Sequence, residues 1–95
     1  MARPGRLDPS AVDAWLTAHP GWSREGDALQ KTYMHPTFSR AIAFVVEIAT
    51  VAEKMDHHPD VNIQFRRVTL RFSTHDAGGL TSLDLRGAEA ADAVA

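Results

Sequence analysis

A chain of 95 residues, 44 % of them apolar, makes one small domain with little stability to spare, so association of copies is an expected way to bury more surface. The absence of cysteine excludes a disulfide framework, a thiolate nucleophile and a cysteine-based zinc site, and fits a cytoplasmic protein. A net charge of -2 argues against a dedicated nucleic-acid binder, the opening MARPGRLDPS has no signal-peptide core, and the longest apolar run, AIAFVVEIATVA, is broken by Glu47 and too short to span a membrane.

Residues 1–7 read as a flexible arm, and residues 8–95 as the domain. Asp8 and Pro9 suit the cap and first position of a helix, and Val12, Trp15 and Leu16 fall on one face of it. His19-Pro20-Gly21 ends that helix. WSREGDALQKTYM follows, with Gly26-Asp27 as a turn between two short strands and Leu29, Lys31 and Tyr33 on one strand face. Pro36-Thr37 opens a second helix. Its apolar positions are Phe38, Ala41, Ile42, Val45, Ile48, Ala49, Ala52 and Met55, widened by Phe44, Val46 and Val51. A helix apolar over most of its circumference is buried on two sides. In so small a domain the second side is expected to meet another subunit.

Pro59 stops the second helix and disfavours helical geometry at His58. Val61, Ile63 and Phe65 then alternate, as do Val68, Leu70 and Phe72, with Arg66-Arg67 between them, which predicts a second hairpin with one buried face. STHDAGGL is a loop broken by Gly78-Gly79. Thr81 caps a last helix, with Asp84 three residues on in a capping-box position. The order α-β-β-α-β-β-α predicts an α+β domain: a four-stranded antiparallel sheet with helices packed on one face.

Of five histidines, His19 and His35 each precede a proline and read as turn polarity. The others converge. Glu53 and His57 stand four apart on a helix, and His57 falls in its last turn, where the dipole favours a cation by about 0.3–1 kcal/mol. The break at Pro59 turns His58 away from His57, so the adjacent pair is able to flank a ligand. His75 follows the fourth strand, whose end returns beside the start of the third in an antiparallel hairpin. Asp84 is within reach of the same place. A metal centre is disfavoured, because adjacent residues in a regular element seldom bind one ion. Helix-end histidines with no further role are the plain alternative, since histidine is common there.

Glu53, then His57-His58-Pro59, then Phe65, His75 and Asp84 resemble, in residue type and spacing, the motif of the pterin-4a-carbinolamine dehydratases. AEKMDHHPDV and STHDAGGLT are similar to that family's two central segments. Val61-Asn62 and Leu83 stand where many animal members carry an aromatic pair and an arginine, which bears on how the pterin is gripped. The resemblance implies a lyase that dehydrates 4a-hydroxytetrahydropterin to quinonoid dihydropterin, with no metal and no organic cofactor. It implies catalysis by His57, His58 and His75, and substrate binding by Glu53, Asp56, His58, Pro59 and Asp84, with Asp84 holding His75 or the ligand. It implies a small pterin as substrate, while the apolar breadth of the second helix predicts a homodimer or homotetramer, and charge and run length predict neither nucleic acid nor membrane as partner. Two alternatives remain open: a non-catalytic dimerisation or assembly module of the same fold, and a dehydratase for another pterin.

Overall fold

The computed structural model describes residues 5–95, so the first four residues of the expected arm lie outside the described residues. At the end of that segment the Leu7 backbone N–H donates to the Leu80 carbonyl at 2.8 Å, and the Leu7 side chain packs on the core. Helix α1 is Pro9–Ala18, with proline in its first turn. Asp8 caps it through its backbone carbonyl, which accepts from Ala11 and Val12, and not through its carboxylate. The strands β1 (Ser23–Glu25) and β2 (Ala28–Met34) form the first hairpin around Gly26, whose φ of 61° suits a residue without a Cβ. Helix α2 is Phe38–Met55, capped by the Thr37 hydroxyl accepting from the Arg40 N–H. Strands β3 (Asp60–Gln64) and β4 (Arg67–Phe72) follow, then a 3-10 turn at His75–Ala77 and helix α3, Ser82–Val94.

The four strands are antiparallel in the order β1-β2-β4-β3, so β3 is an edge and β4 is central. Register pairs Leu29 with Phe72 and Asp60 with Arg71. The end of β4 therefore lies beside the start of β3. Leu29, Tyr33, Val68, Leu70 and Phe72 cover one face of the sheet, and the helices pack there through Val12, Trp15, Ala41, Phe44, Ile48, Ala88 and Ala91. The predicted element order and layer arrangement are both observed.

Two local expectations change. Phe65 is not the third inward residue of β3. It sits in the two-residue turn between Gln64 and Arg67 with φ 55° and is 69 % exposed. The buried face of this hairpin belongs to β4, while Val61 on the edge strand is exposed. Alternation alone cannot tell an edge strand from a central one. In α2 the broad apolar band divides. Ala41, Phe44, Ile48 and Ala52 turn inward, so Phe44 belongs to the monomer core, whereas Phe38, Ile42 and Val46 face outward. Spacings of three and four generate both sets on one helix.

Two buried tryptophans are anchored by acids on α3. The Trp15 indole donates to Glu89 at 2.7 Å and that of Trp22 to Asp92 at 3.0 Å. Asp92 also accepts from Lys31 at 2.7 Å and from the Tyr33 hydroxyl. Lys31 thus shares a strand face with Leu29 and Tyr33 because its carboxylate partner waits across the core edge. The two turn histidines are packed as well. His19 donates to the Trp15 carbonyl at 2.8 Å and stacks on the Trp15 ring, and the His35 ring lies 4.8 Å from that of Phe44.

Burial alone would raise the Asp92 carboxyl, but hydrogen bonds from Lys31, Tyr33 and Trp22 and the Lys31 charge outweigh it, and the group is held below its ordinary range. Its folded value lies below the unfolded one, so the stability it contributes is present above about pH 4 and is lost as pH falls through the folded value. Asp92→Asn should lower stability at pH 7 by about 1–2 kcal/mol. In thermal melts the gap from the parent should be full above about pH 5 and shrink below about pH 4. A gap that stays constant across the acid range would contradict this account.

Candidate active site

Helix α2 ends before the proline. Asp56 adopts the left-handed conformation, with φ 51°, which aspartate tolerates better than most residues. The Asp56 N–H returns to the Glu53 carbonyl at 3.3 Å and the His57 N–H to the Ala52 carbonyl at 3.1 Å, the bond pattern of a Schellman close. His57 therefore lies just beyond the helix, not in its last turn, and does not share a helix face with Glu53. Pro59 acts one step later, where the chain leaves for β3.

The left-handed step sends the two imidazoles apart. His57 points inward, with only 5 % of its surface exposed. Its Nε2 lies 2.6 Å from Asp84 Oδ1, and its ring stacks on Phe72 at 6.2 Å. A carboxylate only accepts, so Nε2 carries the proton. His58 points outward, and its Nε2 donates to Glu53 Oε1 at 2.7 Å, both side chains being largely solvated. The Glu53 partner is thus His58. An exposed pair of this kind adds little to stability.

Asp84 is fully buried. Besides His57 it accepts from the Thr74 hydroxyl at 2.8 Å and from the Thr81 N–H at 2.9 Å, both on Oδ2. The second of these is half of the predicted capping box; the other half is the Thr81 hydroxyl accepting from the Asp84 N–H, and that hydroxyl also accepts from the Leu83 N–H at 3.2 Å. Three donors on one carboxylate compensate the burial of its charge.

His57, His58 and His75 line a cleft of about 200 Å³ together with Asp56, Thr74 and Asp76. The three histidines and Asp56 were expected there from the sequence. Asp84 stands behind His57, away from the opening, so it reaches a ligand through the imidazole and not by direct contact, and it holds His57, not His75. Glu53 borders the site through His58. Thr74 and Asp76 were missed as lining residues, since STHDAGGL reads only as a loop; the signal was their position on either side of His75. Among the described residues no group of three or more histidines and carboxylates is placed to hold a metal ion, and no helix is long and apolar enough to cross a membrane.

A four-stranded antiparallel sheet, helices on one face, and a cleft at the β3–β4 end lined by three histidines define a small α+β domain with a histidine-lined site. The sequence signature of the Pterin 4 alpha carbinolamine dehydratase family matches residues 5–94, and the chain belongs to that family. A relative carrying the family name in Roseiflexus sp. (strain RS-1) is 48 % identical over 79 residues, covering 83 % of this chain and 85 % of its own. Another, in Thermomicrobium roseum, is 46 % identical over 80 residues, covering 84 % of this chain and 86 % of its own. The crystal structure of a transcriptional coactivator/pterin dehydratase from Brucella melitensis superposes with a TM-score of 0.91 at 33 % identity, over 96 % of this chain and 99 % of that one. A pterin dehydratase-like RuBisCO assembly factor of the alpha-carboxysome shares the fold, with a TM-score of 0.67 at 20 % identity, over 80 % of this chain and 90 % of that one.

The wall behind His57 is closely packed at Gly87. A Cβ on Gly87 of α3 would meet Phe72 Cε1 at 2.5 Å, and Phe72 is the ring on which His57 stacks. Gly87→Ala gains about 1 kcal/mol of helix propensity, yet the buried clash should leave a net loss of about 1–2 kcal/mol. In a domain of this size that is a fall in Tm of roughly 4–15 °C. A Tm at or above the parent value would show that α3 and β4 separate at little cost.

Proposed function

We propose that this chain dehydrates 4a-hydroxytetrahydropterin to quinonoid dihydropterin and water, in the recycling of a pterin cofactor after an aromatic hydroxylation. The observation that carries the reading is the convergence of His57, His58 and His75 on one cleft, with a buried carboxylate fixing the tautomer of His57. Family membership supports it. The complete set of imidazoles favours an enzyme over a non-catalytic assembly module.

The chemistry asks for one acid and one base. The hydroxyl on C4a leaves as water only once it is protonated, and the N5 proton must depart as the C4a–N5 double bond forms. The protons balance, and nothing is oxidised or reduced. His57 Nε2 is engaged with Asp84, which leaves Nδ1 as the nitrogen able to take a proton; His57 is accordingly assigned as the base at N5. His75, which lines the same cleft, is assigned as the acid that protonates the leaving hydroxyl. His58 is assigned to binding and orienting the pterin, with Glu53 fixing its ring, and Asp56 lines the same opening. Pro59 sets the direction in which the chain leaves the site. The substrate is a small soluble pterin, consistent with a cytoplasmic enzyme.

The test is dehydration of enzymatically generated 4a-hydroxytetrahydropterin. His57→Ala and His75→Ala should lower kcat by about 10²–10⁴-fold, less where the uncatalysed reaction sets a floor. His58→Ala should mainly raise KM, because it removes a contact made in both ground and transition states. If all three variants fold and retain parental kinetics, the assignment fails. If the parent gives no acceleration over buffer, the dehydratase reading fails and the assembly-module reading takes its place.

The outward stripe of α2 supports a homodimer or homotetramer. Phe38 is 50 % and Val46 61 % exposed, with Ile42 between them and Met34 at the adjoining end of β2. Leaving so continuous an apolar strip in water is unfavourable, and a second copy of α2 offers a matching surface. Sedimentation at micromolar concentration should show a dimer or larger, and Val46→Glu should shift it toward monomer. A parental chain that sediments as a monomer rejects the assembly.

A further inference from the structure

We propose that Thr74 is a positioning residue for this reaction: its hydroxyl ties the loop bearing His75 to the carboxylate that holds His57, and so fixes the tautomer of one imidazole and the place of the other. The proposal rests on the dehydratase reading and adds a residue that the family motif above does not contain.

The Thr74 side chain is buried, so its hydroxyl must be bonded. It has two partners, Asp84 Oδ2 at 2.8 Å and the Thr81 hydroxyl at 2.9 Å. Their polarity is determined. Asp84 only accepts, so Thr74 spends its single proton there and accepts from the Thr81 hydroxyl. The Thr81 oxygen in turn accepts from the Leu83 N–H at 3.2 Å. The sequence of donors therefore starts from α3, runs through Thr81 and Thr74 to Asp84, and meets the His57 Nε2–H arriving from the other side. While it is intact, His57 holds its proton on Nε2 and leaves Nδ1 for the substrate.

Of the bonds that Asp84 accepts, the capping box of α3 uses only the one from the Thr81 N–H. The Thr74 bond is additional to it, and removing it leaves Oδ2 with one donor and the carboxylate freer to rotate about its Cβ–Cγ bond. Thr74 also precedes His75, and its backbone carbonyl accepts from the Ala77 N–H at 3.1 Å in the turn that presents His75. One side chain therefore anchors both imidazole-bearing segments to the same buried group.

The test compares the parent with Thr74→Val, which keeps the shape and removes the hydroxyl, and Thr74→Ser, which keeps the hydroxyl. Ring-nitrogen NMR on histidine-labelled protein reads the His57 tautomer without reference to activity, and steady-state kinetics reads turnover. The parent should show His57 protonated on Nε2. Thr74→Val should mix the tautomers and lower kcat roughly tenfold at nearly constant KM, the worth of about one net hydrogen bond. Thr74→Ser should restore the single tautomer and most of kcat. If the valine variant does not fold, Thr74→Ala replaces it in the same comparison. A parental His57 protonated on Nδ1, or a folded hydroxyl-free variant with unchanged tautomer or unchanged kcat, overturns the proposal. Absence of turnover in the parent would instead count against the dehydratase reading, and the NMR comparison would still decide whether Thr74 fixes the His57 tautomer.

Discussion

Asp84 is the point on which three parts of this molecule depend. The end of α2, the loop after β4 and the start of α3 come from separate stretches of chain, and one buried carboxylate accepts from each: His57, Thr74 and the Thr81 N–H. A buried charge is costly unless nearly all its acceptor sites are used. Two of its donors come from outside α3, so burying the carboxylate ties the segment after α2 and the loop after β4 to the start of that helix. The group that helps cap a helix is therefore also the one that orients the candidate base.

Helix α3 carries this economy along its length. Asp84 sits at its first turn and Asp92 near its last, and Gly87, Ala88 and Ala91 lie buried between them. Small residues let the helix approach β4 closely, as the Phe72 contact at Gly87 shows. The acids at its two ends then reach across to His57 at one end and to Trp22, Lys31 and Tyr33 at the other. Close packing in the middle and polar anchoring at both ends give the site a wall with little freedom to shift.

The adjacent histidines at a helix stop have a physical explanation in Asp56. Its left-handed conformation closes α2 and turns the chain sharply, so consecutive side chains leave in different directions. One imidazole is buried against a carboxylate and an aromatic ring, and the other is solvated beside Glu53. Equal residue types thereby acquire unequal environments, which is what a division between proton transfer and binding requires.

Local chemistry was sufficient for much of this. The element order follows from Pro9, Thr37, Pro59 and Gly78-Gly79 and from the spacing of apolar residues, because caps, breakers and periodicity act over a few positions. The return of His75 beside His57 and His58 follows from hairpin geometry alone. The tertiary structure decided what depends on distant partners. It stopped α2 at Met55, placed Asp84 behind His57 and made Glu53 the partner of His58. It sent Phe44 inward while leaving Val46 outside, and it moved Phe65 into a turn. It also joined the Thr74 hydroxyl to a carboxylate ten residues further along the chain. A sequence pattern records which faces a segment offers. Which neighbour each face meets is settled only when every buried donor and acceptor has found its partner in the folded chain.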